Sequence, residues 1–165
     1  MKELTPNKEN IYYPKPGTEY CDNFASIFLA GTIDNGSSVN WQQNVINDLH
    51  YFYDLPNLEI YNPRRLDWPA ESNHKEIEYQ IKWEQEHLDK VDMIFMIFAD
   101  NSKSPITLLE MGLYAQTGKL YVFCTDKFYR FDNVKLTCDK YSIPLIETTE
   151  TKEISNYIYN RIKNK

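Results

Sequence analysis

Glycine is scarce in this chain, five in 165 residues, and none is arranged to cradle a phosphate. No G-x-G-x-x-G follows an apolar run and no G-K-[S/T] occurs, which argues against dinucleotide redox chemistry and P-loop hydrolysis. The segment Gly31-Thr32-Ile33-Asp34 is too short to be a dinucleotide fingerprint. A G-x-S-x-G nucleophile elbow is missing as well. Cysteine is equally sparse: Cys21, Cys124 and Cys138 are odd in number and lack metal-ligand spacing. Cys124 falls in the apolar run Leu120–Cys124, where a free thiol behaves as a small hydrophobe. His50, His74 and His87 make no ligand set, so neither a metal nor another cofactor is expected. Positive charge is in deficit, with 18 Lys and Arg against 24 Asp and Glu, and no basic block breaks the pattern. That balance disfavours nucleic acid and acidic membranes as partners and leaves a small molecule. No apolar stretch has the form of a signal peptide or approaches a membrane-spanning length. The expectation is a cytoplasmic protein with reduced thiols.

Aromatic residues, in contrast, are plentiful, with 13 Tyr and 8 Phe, and a chain of this length suits one well-packed domain. Residues 1–24 hold Pro6, Pro14, Pro16 and Gly17 among polar residues and read as an irregular arm, with Tyr12 and Tyr13 as anchors onto the body or a partner subunit. From residue 25 to 165, strands and helices alternate. Ser26–Ala30 reads as a first strand, and Val39 to Tyr53 as a helix with Trp41, Val45, Leu49 and Phe52 on one face. Leu58–Tyr61 is a short strand stopped by Asn62-Pro63, and His74 to Lys90 is a second helix. Asp92–Ala99 reads as a buried parallel strand, followed by a helix opened by Ser104-Pro105 and closed at Gly118. Leu120–Cys124 is a fourth strand, 126–139 a loop, 144–146 a fifth strand and Lys152–Lys163 a last helix. Such alternation predicts a three-layer α/β/α sandwich on a five-stranded, mainly parallel sheet, flavodoxin-like or Rossmann-like.

Two acids stand out against this framework. Glu110 follows the most hydrophobic strand, at the end of the sheet where open α/β folds place ligands. An ordinary helix-dipole role suits a first-turn acid, yet Glu110 lies in the second turn, where that benefit has faded. Glu84 sits on the apolar stripe Ile77, Ile81, Leu88, Val91 of the preceding helix. Desolvating a carboxylate there costs several kcal/mol unless it is paired or protonated. The readings stand side by side: a stripe edge, or a salt bridge to an arginine such as Arg65, against a stripe that lines a cleft instead of the core. Two carboxylates facing one pocket suit glycosyl chemistry, one attacking an anomeric carbon while the other manages protons.

Several segments together resemble the nucleoside 2-deoxyribosyltransferase-like superfamily, and its small bacterial and phage branch in particular. They are Phe28-Leu29-Ala30-Gly31-Thr32-Ile33, Asn62-Pro63-Arg64-Arg65 with Trp68, Gln80-Ile81-Lys82-Trp83-Glu84, Val91-Asp92-Met93-Ile94, Ser104 to Gly112, Gly118-Lys119, and Arg130 with Asn133-Val134. The resemblance implies an enzyme that cleaves or transfers the N-glycosidic bond of 2′-deoxynucleosides or their 5′-monophosphates. It makes Glu110 the nucleophile that forms a deoxyribosyl ester. Glu84 takes the place of an aspartate that handles the base and its proton. Ser104 corresponds to the serine of the related nucleotide hydrolases, where it favours a 5′-phosphate. Phe28, Gly31, Thr32, Ile33, Arg65 and Trp68 fall among the substrate-binding segments. Asn133 resembles a residue donated across a subunit interface to the 5′ end of the sugar, which implies at least a homodimer. The partners implied are a nucleoside or nucleotide and a free base. An N-glycohydrolase of another nucleotide, NAD-type included, and a nucleotide-sensing module without turnover are the alternatives.

Overall fold

The structure, a computed structural model, describes residues 11–12, 25–51, 53, 58–64 and 74–165. Five parallel strands form the centre: β2 (Ala25–Gly31), β3 (Leu58–Tyr61), β4 (Met93–Phe98), β5 (Leu120–Cys124) and β6 (Leu145–Ile146). Their order, β3-β2-β4-β5-β6, is that of flavodoxin-like folds, with the strand order reversing between β2 and β4. A two-residue strand, β1 (Ile11–Tyr12), adds antiparallel to β3 with Ile11 opposite Tyr61. This part of the 1–24 arm therefore pairs with the sheet, contrary to an irregular reading. Too few residues take part for alternation to reveal the strand in the sequence.

Period-two alternation divides the central strands between two cores. Ile27 and Leu29 of β2, Phe95 and Ile97 of β4, and Phe123 of β5 face α1 (Trp41–Tyr51) and α5 (Thr151–Lys163). Phe28, Ala30, Ile94, Met96, Phe98 and Val122 face the opposite layer. That layer holds α2 (His74–Lys90), α3 (Pro105–Tyr114) and α4 (Phe131–Tyr141). Strands buried on both faces read as continuous apolar runs, which is why β4 and β5 are so plain in the sequence.

Two sequence expectations need correction. The segment 126–139 is not all loop, because α4 occupies most of it, with Val134 and Cys138 buried. Its apolar face is only two turns long and lies among charged residues, which masks the helical period. The stripe on α2 is also displaced. Trp83 and Leu88 carry the core contact, whereas Ile77 and Ile81 are 44% and 47% exposed. No helix among the described residues is long and apolar enough to cross a membrane.

Candidate active site

The reversal of strand order leaves a crevice at the carboxyl ends of β2 and β4, and the chain leaving each strand lines it. Gly31 closes β2 at φ +137°, and a Cβ built there would lie 2.3 Å from the Ile97 carbonyl oxygen. Only glycine permits that approach. The next residue, Thr32, is buried and donates its amide to the same carbonyl at 3.0 Å. Its own carbonyl accepts from the Trp41 indole at 3.0 Å, which ties the start of α1 to the crevice.

Arg64 secures the outer side of this loop. It is buried, and its guanidinium donates to the carbonyls of Gly36, Ser38 and Val39 at 2.8, 2.6 and 3.0 Å. A further bond to Ser38 Oγ at 3.2 Å leaves it a structural clasp with few hydrogens for a ligand. Arg65 and Trp68, expected at the site, lie outside the described residues.

The two acids come together between α2 and α3. Gln80 Nε2 donates to Glu84 Oε1 at 2.8 Å and to the Pro63 carbonyl at 3.1 Å, fixing Glu84 against the strand β3 exit. Burial holds Glu84 above the usual carboxylate range, and the Gln80 bond partly offsets it. Glu110 is pushed further, from 4.5 to about 8, first by burial and then by the Glu84 charge. The two carboxylates lie within electrostatic reach of one another, and Arg65, the salt-bridge partner the sequence offers for Glu84, lies outside the described residues. One turn beyond Glu110, Tyr114 is buried and donates to Asp89 Oδ1 at 2.7 Å, bracing α3 against α2.

Ser104 occupies the N-cap position of α3, with Pro105 at the first helical position. Its hydroxyl does not cap the helix. Instead it meets Thr32 Oγ1 at 2.7 Å and Ser102 Oγ at 2.9 Å. The backbone of Ser104 is left-handed, at φ 43°, an uncommon conformation for a residue with a Cβ.

A model of the family described as nucleoside 2-deoxyribosyltransferase like matches residues 25–128. The chain belongs to this family. The matched span includes Glu84, Ser104 and Glu110 together with the β2 exit, and stops before Asn133. Among solved structures the chain is similar to a conserved protein from Enterococcus faecalis V583. The two share 12% identity at a TM-score of 0.56, over 86% of this chain and 98% of that one, a likeness of fold. No curated protein matches the sequence.

Within this deoxyribosyltransferase-like frame the other expected residues separate by environment. Phe28 is fully buried and packs on Trp83 with ring centroids 6.0 Å apart, as core residues do. Trp83 also stacks toward His87 at 4.4 Å, so its ring is packed among neighbours rather than standing free for a base. Ile33 gives its carbonyl to Gly36 N at 2.9 Å and Ser38 Oγ at 2.8 Å, shaping the loop. Asn133 lies exposed on α4. Asp92 accepts from Ser26 N at 2.8 Å and Ser26 Oγ at 3.1 Å, a backbone-orienting role. Cys124 and Cys138 are buried free thiols, raised by burial to about 12 and about 11, and are chemically quiet. Among the described residues no group of three or more His, Cys, Asp or Glu is placed to hold a metal ion. The sequence reading overlooked Ser102 and Asp34. Ser102 donates to Asp34 Oδ1 at 2.7 Å across 68 positions of chain, a pairing that no local pattern announces.

Proposed function

We propose that the protein cleaves or transfers the N-glycosidic bond of 2′-deoxynucleosides or their 5′-monophosphates through an ester on Glu110. The observation that carries this reading is the Glu84–Glu110 pair: two carboxylates in one poorly hydrated place, with Glu110 raised to about 8. Near neutral pH such a pair holds roughly one negative charge and one proton, and its titration belongs to both groups. These are the two things glycosyl transfer requires. In the free protein the proton rests mainly on Glu110. A sugar developing positive charge at C1′ favours the ionised form of the nearer carboxylate and moves the proton to Glu84.

The electron bookkeeping is simple. A Glu110 carboxylate oxygen attacks C1′, and the C1′–N bond breaks with its electron pair going to the base nitrogen. The base takes the proton held by Glu84 and leaves neutral. A second base, or water, then attacks C1′ from the opposite side, releases the Glu110 carboxylate and returns a proton to Glu84. Two inversions give net retention. Exclusion of water from the crevice decides between transfer and hydrolysis.

The working form of this cytoplasmic enzyme is a homo-oligomer. Ile106, Leu109 and Leu113 form an exposed apolar stripe on α3, and Leu136 is exposed on α4. A second copy on that face would donate its Asn133 to the sugar 5′ end, as the family resemblance implies. Chromatography of products from each deoxynucleoside and deoxynucleotide, with and without a free acceptor base, tests the activity. Base exchange identifies a transferase and acceptor-independent release a hydrolase, whereas no base release from any substrate overturns the reading.

A further inference from the structure

Gln80 and Glu84 stand one turn apart on α2, a spacing at which side chains meet. The Gln80 amide nitrogen donates to Glu84 Oε1 at 2.8 Å and to the Pro63 carbonyl at 3.1 Å. The neighbours fix which end of the amide faces them. A peptide carbonyl only accepts, so an amide oxygen in that place could bond neither it nor an ionised carboxylate. Two hydrogens serve two acceptors, and both are engaged. The anchor itself is firm. Pro63 is buried between Asn62, whose Oδ1 accepts from the Arg64 amide at 3.0 Å, and Arg64, whose guanidinium clasps the carbonyls of Gly36, Ser38 and Val39. Glu84 is thus referred to the exit of β3 as well as to its own helix.

Glu110 is held differently. Burial and the Glu84 charge act on it, and both disfavour its ionised form. On Glu84 the Gln80 bond works against burial and favours the ionised form. Tyr114, the other titratable group that acts on Glu110 from α3, gives its hydrogen to Asp89. Gln80 therefore adds to the inequality of the two carboxyls. We propose that Gln80 positions Glu84 for its proton transfer: by holding Oε1 it leaves Oε2 as the one oxygen that carries the proton to the departing base. The inference rests on the reading above, in which the base leaves with a proton from Glu84. An oxygen that accepts from an amide serves better as the carbonyl of a neutral carboxyl than as its hydroxyl, so the proton rides on Oε2. At transfer the Oε2–H bond breaks with its electron pair left on Glu84, and the proton joins the base nitrogen. The Gln80 bond strengthens as that negative charge develops.

The test joins kinetics to carboxyl NMR on the unmutated protein and on Gln80→Met, which keeps the length of the side chain and removes its donor. On a 2′-deoxynucleoside with an ordinary base, kcat should fall about tenfold with KM little changed, the effect of one hydrogen bond to a charged group. A 7-methylated purine nucleoside, whose base is already cationic, should lose little. Added to Glu84→Gln, the Gln80→Met change should cost nothing further, because its effect passes through Glu84. A merely structural role predicts equal losses on both substrates and a further loss in the double variant, and either result overturns the proposal. In the free protein the carbon-13 signal of the Glu84 carboxyl should titrate at higher pH in Gln80→Met than without the substitution. Gln80→Asn, polar but too short to reach Glu84, should reproduce each change and serves where the methionine variant does not fold. A Glu84 signal that stays in place overturns the proposal whether or not base is released. Should the signal move while the unmutated protein releases no base from any deoxynucleoside, the glycosidic reading fails and the hold of Gln80 on Glu84 stands.

Discussion

Glu84 and Glu110 face one another from adjacent helices, and the charge of the first adds to burial in raising the second to about 8. Neither residue is paired with a described cation that would quench this coupling. The two carboxyls therefore titrate as a coupled pair, and under the proposed function their protonation would link stability to activity.

Replacing Glu84 by Gln removes both the charge that raises Glu110 and the proton destined for the base. Glu110 should then ionise at lower pH, and the alkaline limit of activity, which the pair is expected to set near 8, should no longer follow the pair. With ordinary bases kcat should fall by about 100-fold, the usual worth of a positioned acid. A substrate whose base is already cationic, such as a 7-methylated purine nucleoside, should lose little. Rates on the two substrates across pH check this, and equal losses on both would count against Glu84 as the acid.

Stability should fall as pH rises from about 4.5 to about 8. The sign follows from the raised carboxyl: in this window the unfolded chain has released the Glu110 proton while the folded protein retains it. Unfolding is thus favoured by increasing pH until Glu110 ionises in both states. Glu110→Gln, neutral throughout, should flatten this slope and stabilise the protein at pH 8 by about 2 kcal/mol or more. Urea unfolding at pH 5 and pH 8 measures both effects, and a slope that survives the substitution would place the titration elsewhere.

Gly31→Ala should destabilise the fold by about 2–4 kcal/mol, since the new methyl would meet the Ile97 carbonyl and the backbone is one that L residues avoid. The β2–β4 register would shift where Thr32 leaves the sheet. Thermal melts report the loss, and an unchanged Tm would mean that the two strands part more easily than their packing implies.

Much of this was legible in the sequence because its signals are local. Met93–Phe98 declares itself by a run of apolar residues, and Ser104-Pro105 marks the start of α3, so the position of Glu110 at the crevice follows directly. The bounds of α2 are also plain, but its face is not. Ile77 and Ile81 complete a helical period with Leu88, yet the core is reached through Trp83 instead. Periodicity counts apolar residues and does not say which of them the sheet covers. α4 hides for a similar reason, with Val134 and Cys138 set among charges. Asp34 and Ser102 were invisible because their roles arise where two loops meet, far apart in the chain.

The most direct measurement is intact-protein and peptide mass spectrometry after rapid acid quench of the protein with a 2′-deoxynucleoside and no acceptor base. The account predicts a mass increase of one deoxyribosyl group, mapped to Glu110, removed by adding a free base and absent from Glu110→Ala, which also releases no base. Undiminished base release by Glu110→Ala, or an adduct mapped to another residue, would contradict it.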